Sequence, residues 1–218
     1  DEWGVGDAPS ILSGTITLEK GHKYPLRVEA FQRGQRSSQQ LVWSLPSGDG
    51  DHAVAAAKQA DLVLFVGGLS ARIEGEEMKV KAPGFAGGDR TSLDLPAPQQ
   101  ALLERVHATG KPVVLVLMNG SALSVNWADA HIPAIVEAWY PGSEGGHAVA
   151  GLIAGDYSPA GRLPVTFYKS VDQLPAFPDY RMAGRTYRYF TGAPLYPFGH
   201  GLSYTRFGYA APRLSTST

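Results

Sequence analysis

Three continuous apolar runs constrain the fold most: "DLVLFVG" (61–67), "PVVLVLM" (112–118) and "AIVEAWY" (134–140). A strand with one face in water alternates apolar and polar residues, and these runs do not. They are predicted to be strands buried on both faces, the pattern of a parallel sheet covered by helices. Helical spacing fills the stretches around them. "DHAVAAAKQA" precedes the first run, with Asp51 as a candidate N-cap, and "PAPQQALLERVHATGK" precedes the second and stops at Gly110. "SALSVNWADAH" reads as a short helix or turn before the third run, and "SEGGHAVAGLIAG" as a helix from Ser143 to near Gly155. The alternation predicts an α/β fold, a mostly parallel sheet sandwiched between helices.

The flanks have a different texture. Residues 11–44 predict antiparallel β structure: "SGTITLEKGHKYPLRVEA" alternates on both sides of a turn at Gly21, and "SQQLVWSLP" adds a strand closed by Pro46. That stretch carries too little apolar surface for an independent core, so residues 1–48 read as the tail of something larger. Residues 156–210 are rich in Gly, Pro and Tyr and are expected to be ordered by aromatic packing more than by regular elements. Residues 211–218 read as a loose tail.

Charge and composition narrow the function. A formal net charge of −1 leaves no electrostatic footprint for nucleic acid. No apolar run approaches ~18 residues, so no membrane span is expected. The opening "DEWGVGDAPS" lacks the charged-then-apolar pattern of a secretory leader. The absence of cysteine excludes a disulfide framework, thiol catalysis and thiolate-bound zinc. The six histidines show no H-E-x-x-H or similar spacing, so no metal is expected. "GGLSARIEG" follows a strand but matches neither a dinucleotide fingerprint nor a P-loop, and no G-x-S-x-G elbow offers a serine nucleophile. No cofactor is expected.

What remains is "IEGEEMKVKAPGFAGGDR" (73–90), the densest acidic cluster, placed where the first apolar strand ends. Ligands approach parallel sheets at the carboxyl ends of their strands. A loop of ~25 residues there is long for a compact domain. A solvated surface loop would explain the cluster. So would glycoside hydrolysis, which needs one carboxyl group kept protonated and a second acting as nucleophile or base. Like charges at Glu74, Glu76 and Glu77 would push one carboxyl pKa up, while Arg72, Lys79 and Lys81 oppose that.

"RIEGEEMKVKAPGFAGGDRTSLDLPAPQQALL", "GKPVVLVLMNGSAL", "AWYPGSEGG", "GDYSPAGRLPVTF" and "YPFGHGLSYT" together resemble the C-terminal α/β-sandwich domain of glycoside hydrolase family 3, in particular its bacterial β-xylosidase and β-glucosidase members. The resemblance covers residues 49–210. Residues 1–48 resemble the closing strands of a PA14 module, a carbohydrate-associated β domain.

The resemblance implies a retaining, exo-acting hydrolase of terminal β-linked sugars, periplasmic or secreted. Its Asp nucleophile would sit on an N-terminal TIM-like barrel and its Glu acid/base on a loop of the sandwich domain. The family pattern of Gly-Glu, a variable stretch and Gly-Asp-Arg falls on Gly75-Glu76 and Gly88-Asp89-Arg90. It implies Glu76 as acid/base, with Glu74 and then Glu77 as alternatives, and Asp89 and Arg90 as residues that fix the loop. A ~250-residue barrel does not fit beside the sandwich in 218 residues. These residues alone are therefore expected to be inactive, the barrel being the missing partner. Xyloside and glucoside substrates stay open. The rival readings are a non-catalytic carbohydrate-binding or scaffolding domain, and a flavodoxin-like small-ligand domain.

Overall fold

A computed structural model describes residues 16–19, 21–25, 50–71, 73–74, 80, 82–87 and 89–215. The chain divides into two units, Asp1–Leu45 and Pro46–Thr218. The predicted antiparallel strands of 11–44, and with them the PA14-like stretch, fall almost wholly outside the described residues.

The second unit is built on three parallel strands in the order β1 (Val63–Gly68), β4 (Val113–Met118), β5 (Ala134–Glu137). Two short strands, β2 (Phe85–Ala86) and β3 (Asp89–Arg90), pair with each other outside that sheet. Val63 pairs with Val113 and Val114 with Ala134, so β4 is central. Its burial follows: Val113, Leu115, Val116 and Leu117 are each at most 2% exposed. Helices α1 (Asp51–Gln59), α2 (Ala97–His107) and α3 (Asn126–His131) contribute Ala57, Leu103, Val106 and Ala128 to the same core cluster as Leu115 and Leu117. A fourth helix, α4 (Gly145–Ala154), follows β5, and a single turn, α5 (Thr186–Tyr189), lies in the tail. Helix α1 is capped by Gly50 in the left-handed region, with Asp51 one position inside, paired to Arg105 of α2. Asp51 was the residue expected at the cap. The shift frees its carboxylate for α2 while keeping an anion in the first turn, where the helix dipole favours one.

The tail folds back through few regular elements. Phe167, 1% exposed, bridges to Tyr196, and Leu163 exchanges backbone hydrogen bonds with the 199–200 turn. Trp139, Phe167, Tyr196 and His200 form a chain of ring contacts, the last pair stacked with centroids 4.7 Å apart. Aromatic packing here accompanies a few backbone bridges in place of a long ladder.

The last residue of β1 sets the course of the chain beyond it. Gly68 has φ +126°, and a Cβ there would lie 2.2 Å from the carbonyl oxygen of Met118. The backbone turns hard against β4, and Leu69 N–H donates to that carbonyl at 2.7 Å. Gln99 of α2 grips the same residue from the other side. Its Oε1 accepts from Gly68 N at 2.7 Å and its Nε2 donates to Gly68 O at 2.8 Å. Only glycine meets both the angle and the space. Gly68→Ala is expected to destabilise this unit by about 3 kcal/mol through strain and overlap, read by chemical denaturation, whereas Gly87→Ala, whose Cβ would meet open space, should cost less.

Candidate functional site

Because β1, β4 and β5 run parallel, their exits lie at one end of the sheet. The exits are Gly68–Leu69, Asn119–Ser121 and Ala138–Tyr140. The acidic arm leaves the first; of its described residues, Glu74 is held by the other two and Arg90 by Ser121 of the second. Ile73 N and Glu74 N both donate to Ser70 O at 2.9 Å, closing a short turn at the arm's root. That turn aims the Glu74 side chain across the strand ends.

Glu74 is the hub. Its Oε2 accepts from Gly120 N at 2.7 Å and from the Tyr140 hydroxyl, and its Oε1 accepts from the Ser121 hydroxyl. A guanidinium nitrogen of Arg90 stands 3.9 Å from Oε1, and the two side chains are only 12% and 13% exposed. Both carboxylate oxygens are thus occupied by donors from two strand exits. Gly120 must be small, since a Cβ there would come within 2.8 Å of the Tyr140 ring and 3.2 Å of Glu74 itself.

Arg90 closes the arm's far end. Strands β2 and β3 form a two-rung antiparallel pair, with Phe85 opposite Arg90. The Arg90 guanidinium lies over the Phe85 ring at 5.1 Å, donates to Ser92 O at 2.9 Å, and reaches Ser121 Oγ at 2.8 Å. Burial pulls its pKa below the usual arginine value, opposed by the nearby charges of Glu74 and Asp94. Ser121 is therefore shared, donating to Glu74 and accepting from Arg90, so both ends of the arm meet on one hydroxyl. Burial, with the hydrogen bond to Glu74, also pushes the Tyr140 phenol well above its ordinary value, and it stays a donor across the physiological range.

A second carboxyl group lies at the end of β5. Glu137 Oε1 accepts from Trp139 N at 3.0 Å, and its Oε2 faces Asn119 Nδ2 at 3.2 Å. Burial raises the Glu137 pKa to about 7, with a smaller push from the Glu74 charge, against the two donors that favour the anion. Trp139 takes φ +53°, a conformation that bulky residues rarely adopt.

Two clefts flank the Gly120–Ser121 turn. One, of about 370 Å³, is lined by Ala71, Glu74, Asp89, Arg90 and Tyr140. The other, of about 620 Å³, is mostly apolar, with Trp139, Val165 and Tyr168 in its walls. Of the residues singled out from sequence, Glu74 and Arg90 come together and Asp89 stands exposed at the rim of the polar cleft. Glu76 and Glu77 lie outside the described residues. Sequence reading gave no role in the site to Ser121, Asn119 or Glu137. Asn119 and Ser121 were marked only by lying just beyond an apolar strand, and Glu137 only by being the one acid inside another.

Residues 8–204 match the family model described as the glycosyl hydrolase family 3 C-terminal domain. The match begins inside the stretch that sequence alone likened to a PA14 module. The chain is 49% identical over 206 residues to a xylan 1,4-β-xylosidase of Xylanibacter ruminicola, covering 93% of this chain and 24% of that protein. It is 40% identical over 231 residues to a periplasmic β-glucosidase of Salmonella typhimurium, covering 98% of this chain and 28% of the other. The chain thus spans about a quarter of the length of these relatives. Among solved structures, a family 3 exo-β-xylosidase in complex with a xylobiose aziridine probe superposes with a TM-score of 0.60 at 34% identity, over 72% of this chain and 20% of that one. A β-glucosidase from Erythrobacter marinus gives a TM-score of 0.59 at 42% identity, over 74% and 21%.

The geometry ranks the cost of dismantling the hub. Glu74→Ala strands Gly120 N–H, Ser121, Tyr140 and the Arg90 charge together, and should cost about 3 kcal/mol of unfolding free energy. Tyr140→Phe removes one donor and should cost about 1 kcal/mol. Equal losses in the two variants, measured by denaturant titration, would contradict the hub.

Proposed function

The chain belongs to glycoside hydrolase family 3 through its C-terminal domain, and from that premise we propose that it is the acid/base-bearing part of a retaining, exo-acting β-glycosidase of β-xylosidase or β-glucosidase type. Glu76 is the acid/base in this reading, and Glu74 the anchor that seats its arm.

The observation that carries the assignment is the hydrogen bonding of Glu74. A general acid must hold a proton and present it to the leaving oxygen. Both Glu74 oxygens already accept from Gly120, Ser121 and Tyr140, and freeing one would unseat the arm's root. The working carboxyl group is then better sought just beyond the anchor, and Glu76 stands two residues further along. Glu77 is the alternative if the arm is read one residue later.

The chemistry follows from the reaction class. Glu76 donates its proton to the glycosidic oxygen while a carboxylate of the barrel domain attacks the anomeric carbon. Glu76 then takes the proton from the water that resolves the glycosyl-enzyme intermediate. Retention requires the two carboxyl groups about 5–5.5 Å apart, a separation that only the barrel can complete. The substrate is a terminal β-linked xyloside or glucoside, the sugars in the names of the relatives, and the setting periplasmic or extracellular, like that named for the Salmonella relative. A purely carbohydrate-binding role would leave the polar cleft, with Glu74 and Arg90 spent on each other, few free groups to grip a sugar.

The test is made in the full-length protein. Glu76→Ala should lower turnover of poor-leaving-group substrates by about 10²–10⁴-fold, should spare activated aryl glycosides by comparison, and should be rescued by azide as a glycosyl azide of retained configuration. Normal turnover in Glu76→Ala with the loss found in Glu77→Ala would move the role one residue along.

A further inference from the structure

We propose that Glu137 is a positioning residue for this site: it ties the exit of β4 to the exit of β5, and so fixes the donors that hold Glu74 at the root of the arm. Its effect on hydrolysis rests on the glycosidase reading, while its effect on the arm rests on the geometry of the two strand exits and the burial of Glu137.

The tie has two ends. Glu137 Oε1 takes Trp139 N–H at 3.0 Å and so holds the residue in its left-handed conformation. Tyr140 comes next in the chain and gives its hydroxyl to Glu74. On the other side, Oε2 takes Asn119 Nδ2 at 3.2 Å, and the same nitrogen donates to Ser121 O at 2.8 Å. Gly120 N and the Ser121 hydroxyl then complete the grip on Glu74.

Asn119 shows that this arrangement is imposed. The residue is fully buried, and its Oδ1 has no hydrogen-bond partner among the described residues. An unmatched buried acceptor is costly. Turning the amide over would set Oδ1 against the Ser121 carbonyl and the Glu137 carboxyl. The orphaned oxygen is the consequence of spending both amide donors on the tie.

Linkage gives the tie a pH dependence. The groups facing Glu137 are Trp139 N–H on its own exit, Asn119 on β4's exit, and the Glu74 charge from the arm, with Arg90 and Tyr140 grouped around Glu74. In the tied state burial lifts the carboxyl to about 7 from an ordinary 4.5. A loosened state that admits water returns it toward the ordinary value. The tied state therefore binds the proton more tightly. It is favoured fully below pH 4.5 and progressively lost as pH rises toward and past 7.

The experiment is amide exchange in the full-length protein, without substrate, at pH 6 and pH 8, corrected for intrinsic rates. Gly120 N–H and Trp139 N–H report the two ends of the tie. Protection at Gly120 and Trp139 should fall about tenfold from pH 6 to pH 8, and Glu137→Gln should abolish the difference. Flat protection in the unmodified protein overturns the proposal whether or not the variant folds, as does a slope that survives Glu137→Gln. In hydrolysis, Glu137→Gln should move the alkaline limb of kcat/KM. A protein without glycosidase activity that still shows the exchange slope would count against the glycosidase reading and leave this tie standing.

Discussion

The Glu74 carboxylate, held by donors from the exits of β4 and β5 and faced by the Arg90 guanidinium, is the interaction on which the site depends. A nearly buried ion pair contributes little net stability, because desolvating the charges offsets most of the attraction. Its value here is geometric. A long arm with scant apolar content cannot fix its own course, and one multiply bonded carboxylate gives it a defined starting point. Arg90 then fixes the far end on the same Ser121 hydroxyl, so the arm is pinned at both ends to one turn.

That pinning requires the sheet. Parallel strands bring three chain exits to one end, where residues 46 and 66 positions beyond Glu74 can reach it. The central strand is buried almost completely, so the Asn119–Ser121 turn stands directly beyond the most buried strand of the sheet. Gly68, gripped by Gln99 and pressed against the Met118 carbonyl, sets the direction in which the arm departs. Packing fixes the frame, and the frame places the polar groups.

Much of the frame was legible in the sequence. All three apolar runs hold a strand, and helices α1 to α4 fall inside their predicted stretches. Burial on both faces holds for the central β4 alone: Leu64 and Val66 of β1 are 50% and 61% exposed, so the described residues cover that strand on one face only. Helix α2 ends at His107, short of the predicted stop at Gly110, because Ala108–Gly110 close as a turn with Thr109 Oγ1 on the Val106 carbonyl. The acidic arm drew attention by charge density and by its place at a strand end. The proposed division of labour within it was not legible. Glu74, Glu76 and Glu77 look alike locally, and only long-range partners such as Ser121 and Tyr140 mark Glu74. Glu137 was hidden by its setting, one acid inside an apolar strand, with its neighbours set by the register of β4 against β5.

The central claim is that the acidic cluster is divided between an anchor and a proton donor. It is tested most directly by measuring unfolding free energy and turnover together in Glu74→Gln and Glu76→Gln of the full-length protein. The account predicts that Glu74→Gln loses stability, and with it the seating of the arm. Glu76→Gln should keep wild-type stability and lose turnover of poor-leaving-group substrates. Wild-type stability in Glu74→Gln, with turnover intact in Glu76→Gln, would contradict it.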